Sequence, residues 1–250
     1  MIKRGYGYVP DLPDRRDFVY GVSGNPLALP VSVDLRTQCS PIEDQAQTNS
    51  CVGHAAAGAL QFLELKDGVP YTDLSRLFPY WGAREMEGTT QSDGGCQPRD
   101  AIKFLASTGI PPESLWPFDA TALFTKPSDA AYTAAASHKI VGYSRVIGLQ
   151  GIRQCLASGY PVLFGFTVYD SFEGPEIAAT GTMSMPTSDE SVVGGHCVVA
   201  VGYQDSTQQL LVRNSWGTEW GMAGYFWMPY SYLTPDLTDD YWTLRKAAAL

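Results

Sequence analysis

The sequence lacks any apolar stretch approaching the roughly 20 residues that a helix needs to cross a bilayer. It is also poor in charge, since only 17% of its residues are charged, and acidic residues outnumber basic ones by 26 to 17. The net charge of −9 argues against nucleic acid or anionic lipid as a partner, because both attract basic patches. With 250 residues and 44% hydrophobic content, the chain can build one large domain or two small lobes.

Histidine is scarce, and no metal-binding motif of the CxxC or HxxEH kind occurs. We therefore expect neither a metal nor another cofactor. A mechanism that needs an imidazole must use one of the 3 histidines, His54, His138 or His196. The 5 cysteines are an odd number, so at least one thiol is unpaired within a monomer.

Residues 1–30 are predicted to form an extended arm, because they contain 4 prolines and little apolar periodicity. No apolar stretch follows Lys3 and Arg4, which argues against a secretory signal and leaves the cytoplasm as the default expectation. The arm is either a solvated lead-in or a segment that packs on the body.

Helices are predicted in the first part of the remaining chain and strands in the second. Apolar periodicity predicts a buried helix from Ser50 to about Leu65, and further helices at 74–86 (broken or restarted at Pro79), 98–107 and 149–158. Short β-rich runs bounded by turn residues predict strands at 161–168, 196–201, 210–213 and 224–228. This order indicates an α+β fold with two lobes rather than alternating βαβ units.

Cys51 lies in the first turn of the buried helix, where backbone N–H groups and the helix dipole favour a thiolate. A lone cysteine at such a place is usually a small buried apolar residue. Gln45, however, lies on the non-helical approach to this helix. Its amide and the Cys51 N–H would supply the two donors that an oxyanion needs.

His196 follows Gly195 and opens an apolar strand, and glycine there allows a substrate backbone to approach closely. His54 is interpreted as structural, because it points into a helix packed on all sides, and His138 as a surface residue. Asn214 closes the next strand and is placed to accept the second imidazole N–H. Trp216 would shield that hydrogen bond from water.

Three segments resemble the motifs of the papain family of cysteine peptidases. Gln45-Ala-Gln-Thr-Asn-Ser-Cys51 looks like its active-site segment, and Gly194-Gly-His-Cys-Val-Val-Ala-Val-Gly-Tyr203 resembles its histidine strand. Asn214-Ser-Trp-Gly-Thr-Glu-Trp-Gly221 is the most specific match, to the asparagine motif. Ser92-Asp-Gly-Gly95 is similar to the glycine pair that borders the substrate cleft. The resemblance extends over residues 33–225.

The resemblance implies that Cys51 is the nucleophile, His196 the general acid/base, Asn214 the orienting residue and Gln45 the oxyanion donor. It implies a papain-like two-lobe fold over 31–250, with a helical left lobe at about 40–137 and a β-barrel-like right lobe at about 138–250. The active site would lie in the cleft between the lobes. The substrate-binding residues implied are Gly94, Gly95, Cys96, Gly195 and Trp216, with Cys96 at a position that typically helps to form a substrate side-chain pocket.

The sequence departs from the family pattern in three places. Val52-Gly53-His54 replaces the aromatic pair of many members, and Thr48 replaces a disulfide-forming cysteine, so that bridge is absent. Cys39 and Cys96 remain open to pairing. The arm at 1–30 is much shorter than a typical inhibitory propeptide, and it is either a short prosegment or a permanent brace.

The function expected from this resemblance is hydrolysis of peptide bonds through an acyl-enzyme intermediate. The expected partners are a peptide or protein substrate and a proteinaceous inhibitor. Two alternatives stay open at this point: a Cys–His amidase or acyltransferase acting on non-protein amides, and a non-catalytic binding protein on the same scaffold.

Overall fold

The computed structural model describes residues 4–21 and 29–246, so parts of the predicted arm, at 1–3 and 22–28, lie outside the described residues. The six α-helices of these residues are α1 (Cys51–Lys66), α2 (Leu77–Glu87), α3 (Pro98–Ser107), α4 (Asp129–Ala135), α5 (Gly148–Ala157) and α6 (Pro175–Thr180). The seven strands are β1 (Ser32–Asp34), β2 (Gly142–Arg145), β3 (Val162–Tyr169), β4 (Val192–Gln204), β5 (Gln209–Arg213), β6 (Tyr225–Pro229) and β7 (Thr238–Arg245). None of the described helices is long and apolar enough to span a membrane.

All four predicted helices are present, as α1, α2, α3 and α5. The predicted break at Pro79 is wrong, because this proline lies in the first turn of α2. A backbone N–H in the first turn has no partner within the helix, so a proline there removes no hydrogen bond. Short helices α4 and α6, of 7 and 6 residues, were too brief for the apolar period to predict.

The four predicted strands are also present, as β3, β4, β5 and β6. The sequence did not predict β1, β2 or β7. Strand β7 reads Thr-Asp-Asp-Tyr-Trp-Thr-Leu-Arg, which has no apolar alternation, and β1 has only 3 residues. Each of these strands forms by pairing with a strand distant in sequence: β1 pairs with β4, β7 with β3, and β2 with β7. The local sequence does not reveal these partners.

The described strands form one antiparallel sheet in the order β2-β7-β3-β4-β5-β6, and β1 pairs with β4 beside this path. No pairing joins β2 to β6 in the described part of the chain, so the sheet is open rather than a closed barrel. The fold is α+β, with a helical part and a sheet part.

Helix α1 lies between the sheet and the other helices, because it packs against β4 on one side and against α2 and α3 on the other. All its residues from Cys51 to Glu64 are buried. Small side chains permit this packing: a Cβ at Gly53 would lie 2.4 Å from the carbonyl oxygen of Arg76 and 2.9 Å from the Cβ of Tyr80. The contact with α2 therefore holds the end of α1 that carries Cys51.

We expect Gly53→Ala to lower the free energy of unfolding by about 1–2 kcal/mol, measured by urea denaturation. Alanine alone would favour a helix by about 1 kcal/mol, so a loss identifies the clash with the Arg76 backbone. The control is Gly142→Ala, where a Cβ meets nothing within 4 Å, and we expect a change of no more than about 0.5 kcal/mol. Equal effects of the two substitutions would contradict this account of how α1 is held.

Candidate active site

The amide of Gln45 is held at the approach to Cys51. The Ser215 hydroxyl donates to Gln45 Oε1 at 2.6 Å, and the Gln45 backbone N–H donates to the Ser215 carbonyl at 2.9 Å. These bonds leave Gln45 Nε2 to donate to the carbonyls of Thr48, at 2.9 Å, and Gly5, at 3.1 Å. Sequence reasoning did not assign this role to Ser215. The second carbonyl belongs to the N-terminal arm.

His196 and Asn214 form the predicted pair. Their side chains meet at 2.8 Å between His196 Nε2 and Asn214 Oδ1, which also accepts the Ser215 N–H at 2.8 Å. Because the amide oxygen can only accept, His196 carries its proton on Nε2, and Nδ1 is left as the acceptor in the neutral ring. The Trp216 ring lies 5.2 Å from the imidazole, centroid to centroid, and covers the pair.

The other two histidines, His54 and His138, are bound to partners outside this pair. His54 is buried in α1, its Nδ1 lies 3.1 Å from the Ser50 carbonyl oxygen, and its ring meets the edge of Phe118. The interpretation of His138 as a surface residue is wrong. Its ring is mostly buried, because it contacts the carboxylate of Glu64 at 2.8 Å.

Residues 5–9 of the arm run across the site in an extended conformation. The Tyr8 N–H donates to the Gly195 carbonyl at 3.0 Å. On the other side, the Cys96 N–H donates to the Gly7 carbonyl at 2.9 Å, and the Val9 N–H donates to the Cys96 carbonyl at 3.2 Å. The arm therefore occupies backbone groups of Cys96 and Gly195, two of the residues that the resemblance implies for substrate binding.

Two glycines allow this close approach. A Cβ at Gly5 would lie 2.1 Å from the carbonyl oxygen of Thr48, and one at Gly7 would lie 1.7 Å from that of Asn49. On the opposite side, a Cβ at Gly95 would lie 2.2 Å from the Gly7 carbonyl oxygen. Only chains without side chains at these positions can lie so close together. The Gly-Tyr-Gly-Tyr run at 5–8 is the sequence signal for this close approach, and it was not among the predicted site residues.

The tyrosines between and after these glycines enter the site. The Tyr6 ring meets those of His196 and Trp216 edge-on, both at 6.2 Å between centroids. Its hydroxyl donates to Glu173 at 2.6 Å, and the Tyr8 hydroxyl donates to Asp240 at 2.7 Å. Neither acidic residue was a candidate from the sequence.

The arm contacts four of the five residues that the resemblance implies for substrate binding, namely Gly95, Cys96, Gly195 and Trp216. Gly94 is different, since it is exposed and a Cβ there would meet only a serine hydroxyl, at 3.5 Å. The arm therefore connects Gly95, Cys96, Gly195 and Trp216, whereas Gly94 lies outside this contact.

Further along, buried charges fix the arm. Asp17 forms ion pairs of 2.7 Å with both Arg99 and Arg145. Asp11 pairs with Arg145 at 3.0 Å and accepts the Trp242 indole N–H at 2.9 Å. Because breaking one member of a buried pair leaves an uncompensated charge, these contacts oppose withdrawal of the arm.

Burial controls the ionisation of Cys51 and His196, both of which are 0% exposed. It raises the pKa of the Cys51 thiol to about 11, against the opposing effect of nearby backbone N–H groups. It lowers the pKa of His196 to about 4, although the hydrogen bond to Asn214 favours the charged ring. Desolvation therefore outweighs the helix N-terminus and disfavours the expected thiolate while Cys51 is buried.

The cysteines form no disulfide bond. All five are free, so Cys39 and Cys96 are not paired, and Cys155 and Cys197 are buried thiols as expected. The Cys155 thiol donates to the Thr243 hydroxyl at 3.1 Å. Within the described residues, no group of three or more His, Cys, Asp or Glu side chains is arranged to hold a metal ion.

Comparisons with known proteins agree on one family. The profile described as "papain family cysteine protease" matches residues 29–234. An uncharacterised peptidase C1-like protein of Acanthamoeba polyphaga mimivirus is 34% identical, over 98% of this chain and 88% of its own. The crystal structure of xylellain, a cysteine protease from Xylella fastidiosa, superimposes with a TM-score of 0.90 at 39% identity and covers 98% of this chain and 97% of its own.

A third relative is longer than this chain. Cysteine proteinase 3 of Entamoeba histolytica is 31% identical over 80% of this chain, and the match spans 62% of the relative's length.

We expect the Cys51 thiol to remain protonated between about pH 5 and pH 9 in the full-length protein, because its pKa is about 11. The measurement is the thiolate ultraviolet absorbance of the wild type minus that of Cys51→Ser across this range. The subtraction removes the other four cysteines. A difference step with a midpoint near or below neutral pH would show that Cys51 is ionised with the arm in place, contrary to this prediction.

Proposed function

Since the chain belongs to the papain family of cysteine proteases, we propose that it cleaves peptide bonds with Cys51 as the nucleophile and His196 as the general acid/base. The observation that carries this assignment is the 2.8 Å bond between His196 Nε2 and Asn214 Oδ1, which fixes the ring with Nδ1 free to exchange a proton. Cys155 is unsuited to the role of nucleophile, because its thiol is bound to Thr243 in the interior.

The proposed reaction begins with a proton transfer from the Cys51 thiol to His196 Nδ1. The thiolate attacks the substrate carbonyl carbon, and the resulting oxyanion accepts hydrogen bonds from Gln45 Nε2 and the Cys51 N–H. As the C–N bond breaks, the His196 imidazolium protonates the leaving amine and a thioester remains. His196 then takes a proton from water, which attacks the thioester and releases the carboxylic acid and the thiol.

Asn214 and Trp216 act through His196. The amide oxygen keeps the proton on Nε2, and the indole ring excludes water from this hydrogen bond, which strengthens it. Ser215 acts in the same indirect way on Gln45, because its hydroxyl holds the amide oxygen and so directs Nε2 toward the oxyanion.

The described arrangement is a masked form of this enzyme, with residues 5–9 as the mask. The Gly5 carbonyl accepts the hydrogen bond that Gln45 would give to an oxyanion, and Tyr6 lies beside His196. Residues 1–30 therefore act as a short prosegment rather than only as a brace. Withdrawal of the arm would also hydrate Cys51 and His196, which lowers the pKa of the thiol and raises that of the imidazole.

The substrate of the unmasked site is a peptide or protein, bound along Gly95, Cys96 and Gly195 in place of the arm. A proteinaceous inhibitor could use the same backbone groups, as the arm does. The side-chain pockets along the cleft determine which peptides and inhibitors bind.

We expect Gly7→Val to raise peptidase activity of the full-length protein by about tenfold or more, because a Cβ at this position would lie 1.7 Å from the Asn49 carbonyl and would displace the mask. The matched control is Gly21→Val in the same arm, where a Cβ meets nothing within 4 Å, and we expect no change. Activity is followed with a mixture of fluorogenic peptides.

The activity gained by Gly7→Val should disappear when Cys51→Ser is added. An active Gly7→Val protein that keeps its activity without Cys51 would contradict the nucleophile assignment. A wild type as active as Gly7→Val would contradict the mask.

A further inference from the structure

The side chain of Tyr8 fills a pocket next to the catalytic strand, and we infer that this pocket selects tyrosine in the substrate through Asp240. The inference rests on the function proposed above and names a feature of the substrate. The position of Tyr8 indicates where a substrate side chain would lie, because the Tyr8 backbone N–H donates to the carbonyl of Gly195, the residue before His196. A substrate side chain that enters beside Gly195 meets the same walls.

Two glycines give the pocket its width. A Cβ at Gly165 in β3 would lie 2.1 Å from Tyr8 Cζ, and one at Gly195 in β4 would lie 2.9 Å from Tyr8 Cδ1. Any side chain at either position would overlap the ring. Because Gly165 and Gly195 lie on adjacent strands and have no side chains, a slot for an aromatic ring remains between them.

Asp240 closes the bottom of the slot. It is 1% exposed and has a φ of +55°, a conformation that few residues other than glycine adopt. The irregular pairing that produces it is a bulge: Leu163 and Gly165 of β3 pair with Trp242 and Asp239 of β7, so β7 carries one extra residue here. The strained backbone points the carboxylate at the tip of the ring rather than into water.

The two oxygens of Asp240 have different partners. Oδ1 accepts from Arg145 Nη1 at 2.9 Å, and this bond lies within the body. Oδ2 accepts from the Tyr8 hydroxyl and from the Asp11 N–H, both at 2.7 Å, and both donors belong to the arm. Withdrawal of the arm thus empties the slot and leaves Oδ2 without either donor.

A substrate phenol restores one of these bonds, whereas a phenylalanine ring covers Oδ2 without donating to it. A buried acceptor left without a partner is costly, and sites built for a hydroxyl reject the analogue that lacks it. Tyrosine should therefore be preferred to phenylalanine at the substrate position that enters this slot.

The charges around Asp240 disfavour a basic side chain. Arg99 and Arg145 are paired with Asp11 and Asp17 only while the arm is docked. After withdrawal, Arg145 keeps its bond to Asp240 Oδ1, and both guanidinium groups lose their carboxylate partners in the arm. A lysine or arginine of the substrate would meet an environment that is already cationic, so the uncharged phenol donor is favoured.

The test uses full-length protein carrying Gly7→Val and Tyr8→Ala, which displaces the mask and removes the side chain from the slot. Fluorogenic peptides place tyrosine, phenylalanine, lysine or arginine at each position around the cleaved bond, and kcat/KM is measured for each. At one position we expect tyrosine to exceed phenylalanine by about tenfold or more, and to exceed both basic residues.

Adding Asp240→Asn should bring the tyrosine-to-phenylalanine ratio close to one while the phenylalanine peptides are still cleaved, since asparagine tolerates a positive φ. The matched control Asp239→Asn removes the same charge from the exposed neighbouring residue and should keep the ratio. A ratio near one at every position, a preference for arginine or lysine, or a ratio unchanged by Asp240→Asn would overturn the inference. Failure to cleave any peptide would instead overturn the proposed function.

A second measurement does not depend on the Asp240 variant. Tyr8→Phe alone, in the full-length protein, removes the donor to Oδ2 from the mask and should raise cleavage several-fold over the wild type. Cleavage equal to that of the wild type would show that the phenol contributes nothing in this pocket, which also overturns the inference.

Discussion

The close approach of Gly5 and Gly7 to the carbonyls of Thr48 and Asn49 is the contact on which the described state depends. These carbonyls precede α1, so the arm lies against the residues that lead into Cys51. The same placement puts Tyr6 beside the imidazole and brings the arm backbone to Cys96 and Gly195. A side chain at either glycine would push the arm outward, and every other contact of residues 5–9 would lengthen with it.

Burial shifts the pKa values of Cys51 and His196 without disturbing the hydrogen bonds that orient the site. The bond between His196 and Asn214 is fully formed, and the Gln45 amide is already oriented by Ser215. What the described state lacks is charge separation, because a buried thiol and a buried imidazole both prefer their neutral forms. In the proposed mechanism the site is therefore preorganised but masked, and hydration of the cleft is the change that would allow the ion pair.

The sequence was informative where one residue type carries the chemistry and uninformative where tertiary pairing decides. Gln45, Cys51, His196 and Asn214 were predicted because their neighbours form motifs, and α1 because its apolar residues recur regularly. Asp240 could not be found, since it lies in a polar strand whose inward turn comes from a bulge against β3. The path of the arm was equally hidden, because prolines predict an extended chain but not the surface that it covers.

The central claim, that residues 5–9 mask Cys51, is tested most directly by brief exposure to limiting iodoacetamide at about pH 5.5, with the adduct mapped by peptide digestion. Free thiols with a pKa of roughly 8.5 hardly react there, whereas a thiolate paired with an imidazolium does. We predict no adduct on Cys51 of the wild type and a single adduct on Cys51 of Gly7→Val, lost when His196→Ala is added. Equal labelling of Cys51 in the wild type and in Gly7→Val would contradict the account.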